Sequence, residues 1–256
     1  FDKKFSTYTG QFIVVTGIPA SGKSDWVDMM CVGYNKEYGW KIAFASPENK
    51  PNEIHAGKLI SKMAGQWVRT QDQVNSKWFN EGIHVIHNSF KFIDLDVYDL
   101  EAVLEKARQM VFKFGIKVLV IDPFNKVRLK ASLNKRDTEY ANDYLLMIDN
   151  FCRKYDVLVI LIAHPRKPSG SESRGYEPTF YDIKGGGEFF DMSPHGLLVH
   201  RDFNNKKVKV KNLKVKFNHL GETEAFSWYE WNLRNGRYTD FEDQNEDPNN
   251  VRGSLE

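Results

Sequence analysis

"FIVVTGIPASGKS", Phe12 to Ser24, is the stretch that decides the fold. Phe12, Ile13, Val14, Val15 and Thr16 read as a buried strand, and a helical pattern begins at Lys23. Between them Gly17, Ile18, Pro19, Ala20, Ser21, Gly22, Lys23 and Ser24 match G-x-x-x-x-G-K-[ST] in full. The two glycines let backbone N–H groups curl around phosphate oxygens, and the helix N-terminus adds positive potential. In such a loop Lys23 reaches the β- and γ-phosphates and Ser24 ligates Mg²⁺. The expected cofactors are therefore ATP, or another nucleoside triphosphate, and Mg²⁺.

Further short apolar runs flank this one: "KIAFAS", "HVIHN", "VLVIDP", "VLVILIAHP" and "GLLVHRD". Near-continuous hydrophobicity suits strands covered on both faces, as in a parallel sheet. Helical periodicity separates the runs. Leu100, Val103, Leu104, Ala107, Met110, Val111 and Phe114 form one apolar face. Ala141, Tyr144, Leu145, Ile148, Phe151, Cys152 and Tyr155 form another, with Asp137 and Thr138 as candidate caps. After residue 195, "VKVKNLKVKF", "FSWYEWNL" and "GRYTDF" alternate in period two, the mark of antiparallel strands. The expectation is an α/β fold, a mostly parallel central sheet with helices on both faces and antiparallel C-terminal strands.

Three of the apolar runs end in chemistry. Glu48 closes "FASPEN", Asp122 closes "VLVID", and His164 closes "VLVILIAH". In a parallel sheet the carboxyl ends of strands face one crevice, where ligands bind. Asp122 is placed to hold the Mg²⁺ shell. A carboxylate near the γ-phosphate, here Glu48, orients and deprotonates an attacking water.

Bulk properties exclude other classes. The chain has 256 residues, 41% hydrophobic, and a formal net charge of +2, so a basic site has to come from local clustering. Cys31 and Cys152 sit in apolar, helix-like contexts with no zinc spacing; they read as core thiols in a reducing compartment. No apolar run approaches the length of a membrane span and no signal peptide is evident. Residues 1–240 read as the folded unit. Residues 241–256 read as an acidic disordered tail ending in "GSLE", which resembles a cloning scar; the chain reads as a fragment of a larger protein.

Taken in order, "GIPASGKS", "FASPEN", "VLVIDPFN", "LIAHPRK" and "YDIKGGGEF" resemble the successive motifs of the RecA-like motor of DnaB-family replicative helicases, the Twinkle and phage primase-helicase type above all. The likeness runs over roughly residues 10 to 240. It implies a RecA-like P-loop NTPase that hydrolyses nucleotide at subunit interfaces of a homo-hexamer or related ring and moves on single-stranded DNA. Primase and polymerase are implied partners, and the cytoplasm of a bacterial or phage-infected cell is the implied location. Carried over, Lys23 and Ser24 are the phosphate-loop pair, Glu48 the catalytic base, Asp122 the magnesium-side carboxylate and His164 the γ-phosphate sensor.

Two basic segments match the family's channel loops: Lys126, Arg128 and Lys130 after Asp122, with Lys135 and Arg136 beyond, and Arg166, Lys167 and Arg174 after His164. Lys184, in "YDIKGGGEF", joins them as a DNA contact. A motor that tolerates any sequence needs flexible cations on the backbone rather than base readers.

The sequence departs from the family in two places. Lys216, with Lys214 beside it, stands where the family carries an arginine finger, and "EFFDMSP" lacks the Arg and Gln that many relatives have there. In "VKVKNLKVKF" the polar positions switch from odd to even at Asn212. A regular strand would then turn its apolar face to water, so a bulge is expected there, re-aiming Lys214 and Lys216. The alternative reading is a RecA-like ring or filament ATPase, or a nucleotide-dependent scaffold, that binds DNA without unwinding it.

Overall fold

Strand β1 (Phe12–Thr16) is buried along its whole length because it feeds two cores at once. The structure, a computed structural model of the chain, describes residues 4–68, 70–130, 136–166 and 176–241. After β1 come α1 (Lys23–Tyr38), β2 (Lys41–Ala45), α2 (Asn52–Ala64) and a single turn, α3 (Gln71–Val74). Next are α4 (Lys77–Ser89), β3 (Phe90–Phe92), α5 (Leu100–Phe114), β4 (Ile116–Ile121), α6 (Asp137–Tyr155) and β5 (Leu158–Ile162). The chain continues through α7 (Gly186–Met192), β6 (His195–Asp202), β7 (Lys207–Val215), β8 (Phe226–Trp231) and β9 (Tyr238–Asp240).

The strands form one sheet in the order β3-β2-β4-β5-β1-β6-β7-β8-β9. Those from β3 to β6 are parallel, and β7, β8 and β9 follow as antiparallel neighbours. Side chains alternate across the sheet. Phe12, Val14, Leu119, Ile121, Val159 and Leu161 meet α5, α6 and α7 on one face. Ile13, Val15, Val118, Val120, Ile160 and Ile162 meet α1 and α2 on the other. Cys31 and Cys152 are buried on opposite faces, and burial pushes both thiols up, as core thiols require.

Two local expectations need correction. "HVIHN" lies inside α4, and the strand is the next segment, Phe90–Phe92. Ser76 caps that helix by accepting from the Phe79 N–H, and Gly82 packs where a Cβ would stand 2.6 Å from Ile60 Cγ2. The close α2–α4 contact overrides the β-branched pair Val85 and Ile86. At α6 the cap position is Arg136; Asp137 and Thr138 are already helical, and the Glu139 carboxylate accepts from the Arg136 N–H at 3.4 Å.

The expected bulge is present. Gly196 pairs with Lys214 but Leu197 pairs with Asn212, leaving Leu213 as the extra residue. Val208 and Val210 before it, and Val215 after it, all reach the core beside α1. Asn212 itself is fully buried, its amide donating to the carbonyls of Lys4 (2.9 Å) and Glu222 (2.8 Å).

Candidate active site

The phosphate loop turns between β1 and α1 with two glycines at positive φ, Gly17 at 152° and Gly22 at 93°. A Cβ on Gly17 would lie 2.2 Å from the Val199 carbonyl oxygen, so only glycine fits. The Lys23 ammonium is buried and donates to the carbonyls of Gly17 (2.9 Å) and Ile18 (2.8 Å). Burial pulls its pKa down to about 8, while the Asp122 and Glu48 carboxylates push the other way.

Asp122 leaves the end of β4 at 2% exposure, and burial raises its pKa to about 6 against a stabilising hydrogen bond from Ser24. Its Oδ2 accepts from the Asn49 amide at 3.0 Å, whereas Oδ1 is buried without a partner. A buried, unsatisfied carboxylate oxygen beside a serine hydroxyl suits Mg²⁺, which takes one or two protein oxygens and fills its shell with phosphate and water.

Glu48 follows the turn after β2 and is exposed; its Oε2 lies 3.6 Å from His164 Nε2 at the end of β5. His164 is part-buried, and its Nδ1 has no partner. Burial first, then the Lys23 charge, lowers the pKa of its imidazole, while Glu48 raises it. Lys23, Ser24, Glu48, Asp122 and His164 thus gather at one edge of the sheet, the carboxyl edge of its parallel strands.

Sequence reasoning missed two residues here. Asn49, next to Glu48, holds Asp122 from 73 positions away in the chain. Tyr238, at the start of β9, donates to the Gly22 carbonyl at 3.0 Å, and its ring packs on Trp26 at 5.0 Å.

The cations divide into groups. Lys126, Arg128 and Lys130 are exposed and alternate along one segment with buried Val127 and Leu129. That segment is pinned to the start of α5 by the Leu100 N–H to Arg128 carbonyl bond (2.8 Å) and its return from Arg128 to Tyr98 (3.2 Å). Arg166 and Lys184 lie near each other beside His164, while Lys167 and Arg174 lie outside the described residues. Tyr176 donates its hydroxyl to Asp182. Lys214 donates to the Phe190 and Asp191 carbonyls, and Lys216 is exposed. Both sit at the amino edge: Ile13 pairs with His195 and His195 with Val215. The phosphate loop leaves β1 three strand steps further on, about 10 Å away along the sheet. Neither lysine therefore joins the phosphate loop of this chain.

No family model matches the chain. It is 33% identical over 210 residues to the Twinkle homolog protein, chloroplastic/mitochondrial, of Arabidopsis thaliana, which takes in 78% of this chain and 29% of that protein. To the DNA helicase/primase of Enterobacteria phage T3 it is 21% identical over 255 residues, 92% of this chain and 43% of the relative. The chain thus spans less than half the length of these curated relatives. Among solved structures, a DnaB-like replicative helicase, described with its interactions with primase, shares the fold at a TM-score of 0.77 and 17% identity over 92% of this chain and 58% of that one. Among the described residues no helix is long and apolar enough to cross a membrane.

Proposed function

This chain is a RecA-like domain of the DnaB helicase family, and on that premise we propose that it is the ATP-driven motor of a replicative DNA helicase, moving on single-stranded DNA as a ring. The observation that carries the reading is the convergence of Lys23, Ser24, Asp122, Glu48 and His164 on one edge of the sheet. Lys23, held on the Gly17 and Ile18 carbonyls, is the group that meets the β- and γ-phosphates when nucleotide binds. Glu48 takes the proton of the attacking water, and His164 beside it senses the γ-phosphate. Ser24 and Asp122 would hold Mg²⁺, which neutralises developing phosphate charge when bound. Lys216, at the opposite edge from its own phosphate loop, is the candidate for the charge supplied by a neighbouring subunit.

Lys126, Arg128, Lys130, Arg166 and Lys184, with Lys167 and Arg174, are assigned to the DNA backbone. Residues 1–240 form the motor. A hexameric ring, primase and polymerase partners and the cytoplasm of a bacterial or phage-infected cell belong to the same reading.

A second reading, a ring that binds nucleotide and DNA but hydrolyses little, is favoured by the lysines at 214 and 216, which lack the planar fork of arginine. The rate of ATP hydrolysis with and without single-stranded DNA, and strand separation on a forked duplex, separate the two. Strong stimulation with unwinding supports the motor; DNA binding without either supports the scaffold. Neutralising Lys126, Arg128 and Lys130 together is expected to flatten the log–log salt dependence of DNA binding by about 0.7 per lost phosphate contact. An unchanged slope would remove that segment from the interface.

A further inference from the structure

Asp137, the first residue of α6, stands between two of the cations assigned to DNA. Its Oδ1 lies 2.9 Å from Lys184 Nζ and its Oδ2 3.5 Å from the Arg166 guanidinium. One carboxylate thus spreads its two oxygens over two cations from separate segments, the arrangement a backbone phosphate would adopt between them. The segments are themselves joined. Pro165 bridges Ile183, and the Arg166 N–H donates to the Asp182 carbonyl at 2.7 Å. The α6 end of the cluster is also fixed: at Gly185, φ +80°, a Cβ would lie 2.8 Å from the Asp137 carbonyl oxygen.

The cluster borders the site. Asp137, Lys184, Arg128 and Tyr140 line one cavity of about 420 Å³ together with His164. Arg166 is only two residues beyond His164. Arg166 and Lys184 thus sit next to the strand end that carries the residue facing Glu48, joined to it by the 165–183 bridge.

We propose that Asp137 is a built-in stand-in for a DNA phosphate: it holds Arg166 and Lys184 when no DNA is bound, and yields them to a phosphodiester of single-stranded DNA. This rests on the motor reading above. Asp137 sets the threshold at which DNA engages the cations, and the exchange reaches His164 through the 165–183 bridge. All three side chains are substantially exposed, so each pair is weak and readily exchanged, as a competitor must be.

The test uses the whole protein and a labelled oligothymidylate, titrated at several salt concentrations. Asp137→Asn is expected to tighten binding by roughly two- to tenfold at low salt, since two exposed ion pairs no longer compete. The gain should shrink as salt rises, because screening weakens the competing pairs in the wild type. The oligonucleotide concentration that half-maximally stimulates ATP hydrolysis should fall by the same factor. In a Lys184→Ala background the gain should be reduced, a coupling that a mere change in helix stability would not produce. Asp137→Ser serves as the second variant, and is expected to behave like Asp137→Asn. Unchanged or weaker DNA binding in both variants, or an undiminished gain without Lys184, overturns the proposal. Absence of oligonucleotide binding by the wild type and every variant overturns the motor reading itself, and the proposal with it.

Discussion

Glu48 Oε2 and His164 Nε2 face each other at 3.6 Å across the ends of β2 and β5, two strands separated in the sheet by β4. The contact exists because the sheet is parallel there, so three strand ends open on one side. Burial and the Lys23 charge pull the imidazole pKa below its ordinary value, while the Glu48 carboxylate pushes it back up. Glu48→Gln keeps the shape and removes the proposed base. Hydrolysis is expected to fall roughly 100- to 10,000-fold with nucleotide binding retained. Single-turnover hydrolysis and a nucleotide titration check this; near-normal turnover would sink the assignment of Glu48.

The Tyr238 hydroxyl braces the phosphate loop from the far end of the chain. Tyr238→Phe removes one donor to the Gly22 carbonyl, which still accepts from the Trp26 N–H at 2.8 Å. Packing against Trp26 and Trp231 is retained. A single hydrogen bond is worth about 0.5–1.5 kcal/mol, so nucleotide affinity should weaken roughly two- to tenfold. Gly22→Ala should do more damage: φ is +93° and the new Cβ would stand 2.7 Å from the Tyr238 oxygen. Nucleotide titrations and thermal melts of both variants separate a brace from a packing role. A lower melting temperature with unaltered nucleotide affinity in Tyr238→Phe would leave the hydroxyl structural only.

His195 makes stability depend on pH. It is fully buried at the start of β6, with Nε2 2.9 Å from the Gln11 amide oxygen. Burial first, then the charges of Lys214 and Lys216, depress its pKa to about 4 from an ordinary 6.5. The unfolded chain then binds the proton more readily, so stability is full above pH 6.5 and is lost as pH falls towards 4. The loss through this group is on the order of 3 kcal/mol. Denaturant melts at pH 7, 5 and 4 should reveal it. His195→Gln, which does not titrate, should flatten that part of the profile; an identical slope in wild type and variant would exclude His195 as its source.

The sequence disclosed whatever is local and periodic. Strands β1, β4 and β5 were legible because burial on both faces demands unbroken apolar runs, and the bulge was legible because Asn212 reverses the parity of β7. Helix α4 misled because Val85 and Ile86 favour a strand while the Ser76 cap and the contact of Gly82 with Ile60 decide otherwise. Tyr238 lies 216 residues from Gly22, and Asp137 owes its place to cations on two other segments. Such partnerships are products of topology and carry no periodic signature.

Lys216 is where topology sharpens a prediction. It lies just past Val215, which pairs with His195 at the amino edge of β6, while the phosphate loop leaves the carboxyl edge of β1. A charge so placed stands away from the phosphate loop of its own chain, so the proposed role is towards the nucleotide of a neighbouring subunit. Lys214 beside it is engaged by the carbonyls of Phe190 and Asp191, which leaves Lys216 the better candidate. In that role an ammonium would stabilise transition-state charge but lacks arginine's bidentate geometry. Hydrolysis should therefore be slow in isolated subunits and rise with protein concentration as subunits assemble. Lys216→Ala should be slow even when assembled, and Glu48→Gln inactive. Mixing the two should restore part of the activity, because some interfaces then join an intact Glu48 to an intact Lys216. Mixtures no more active than the sum of their parts, with mixed assembly verified by mass, would refute action in trans. Full activity of assembled Lys216→Ala would return Lys216 to the role of a solubilising surface residue.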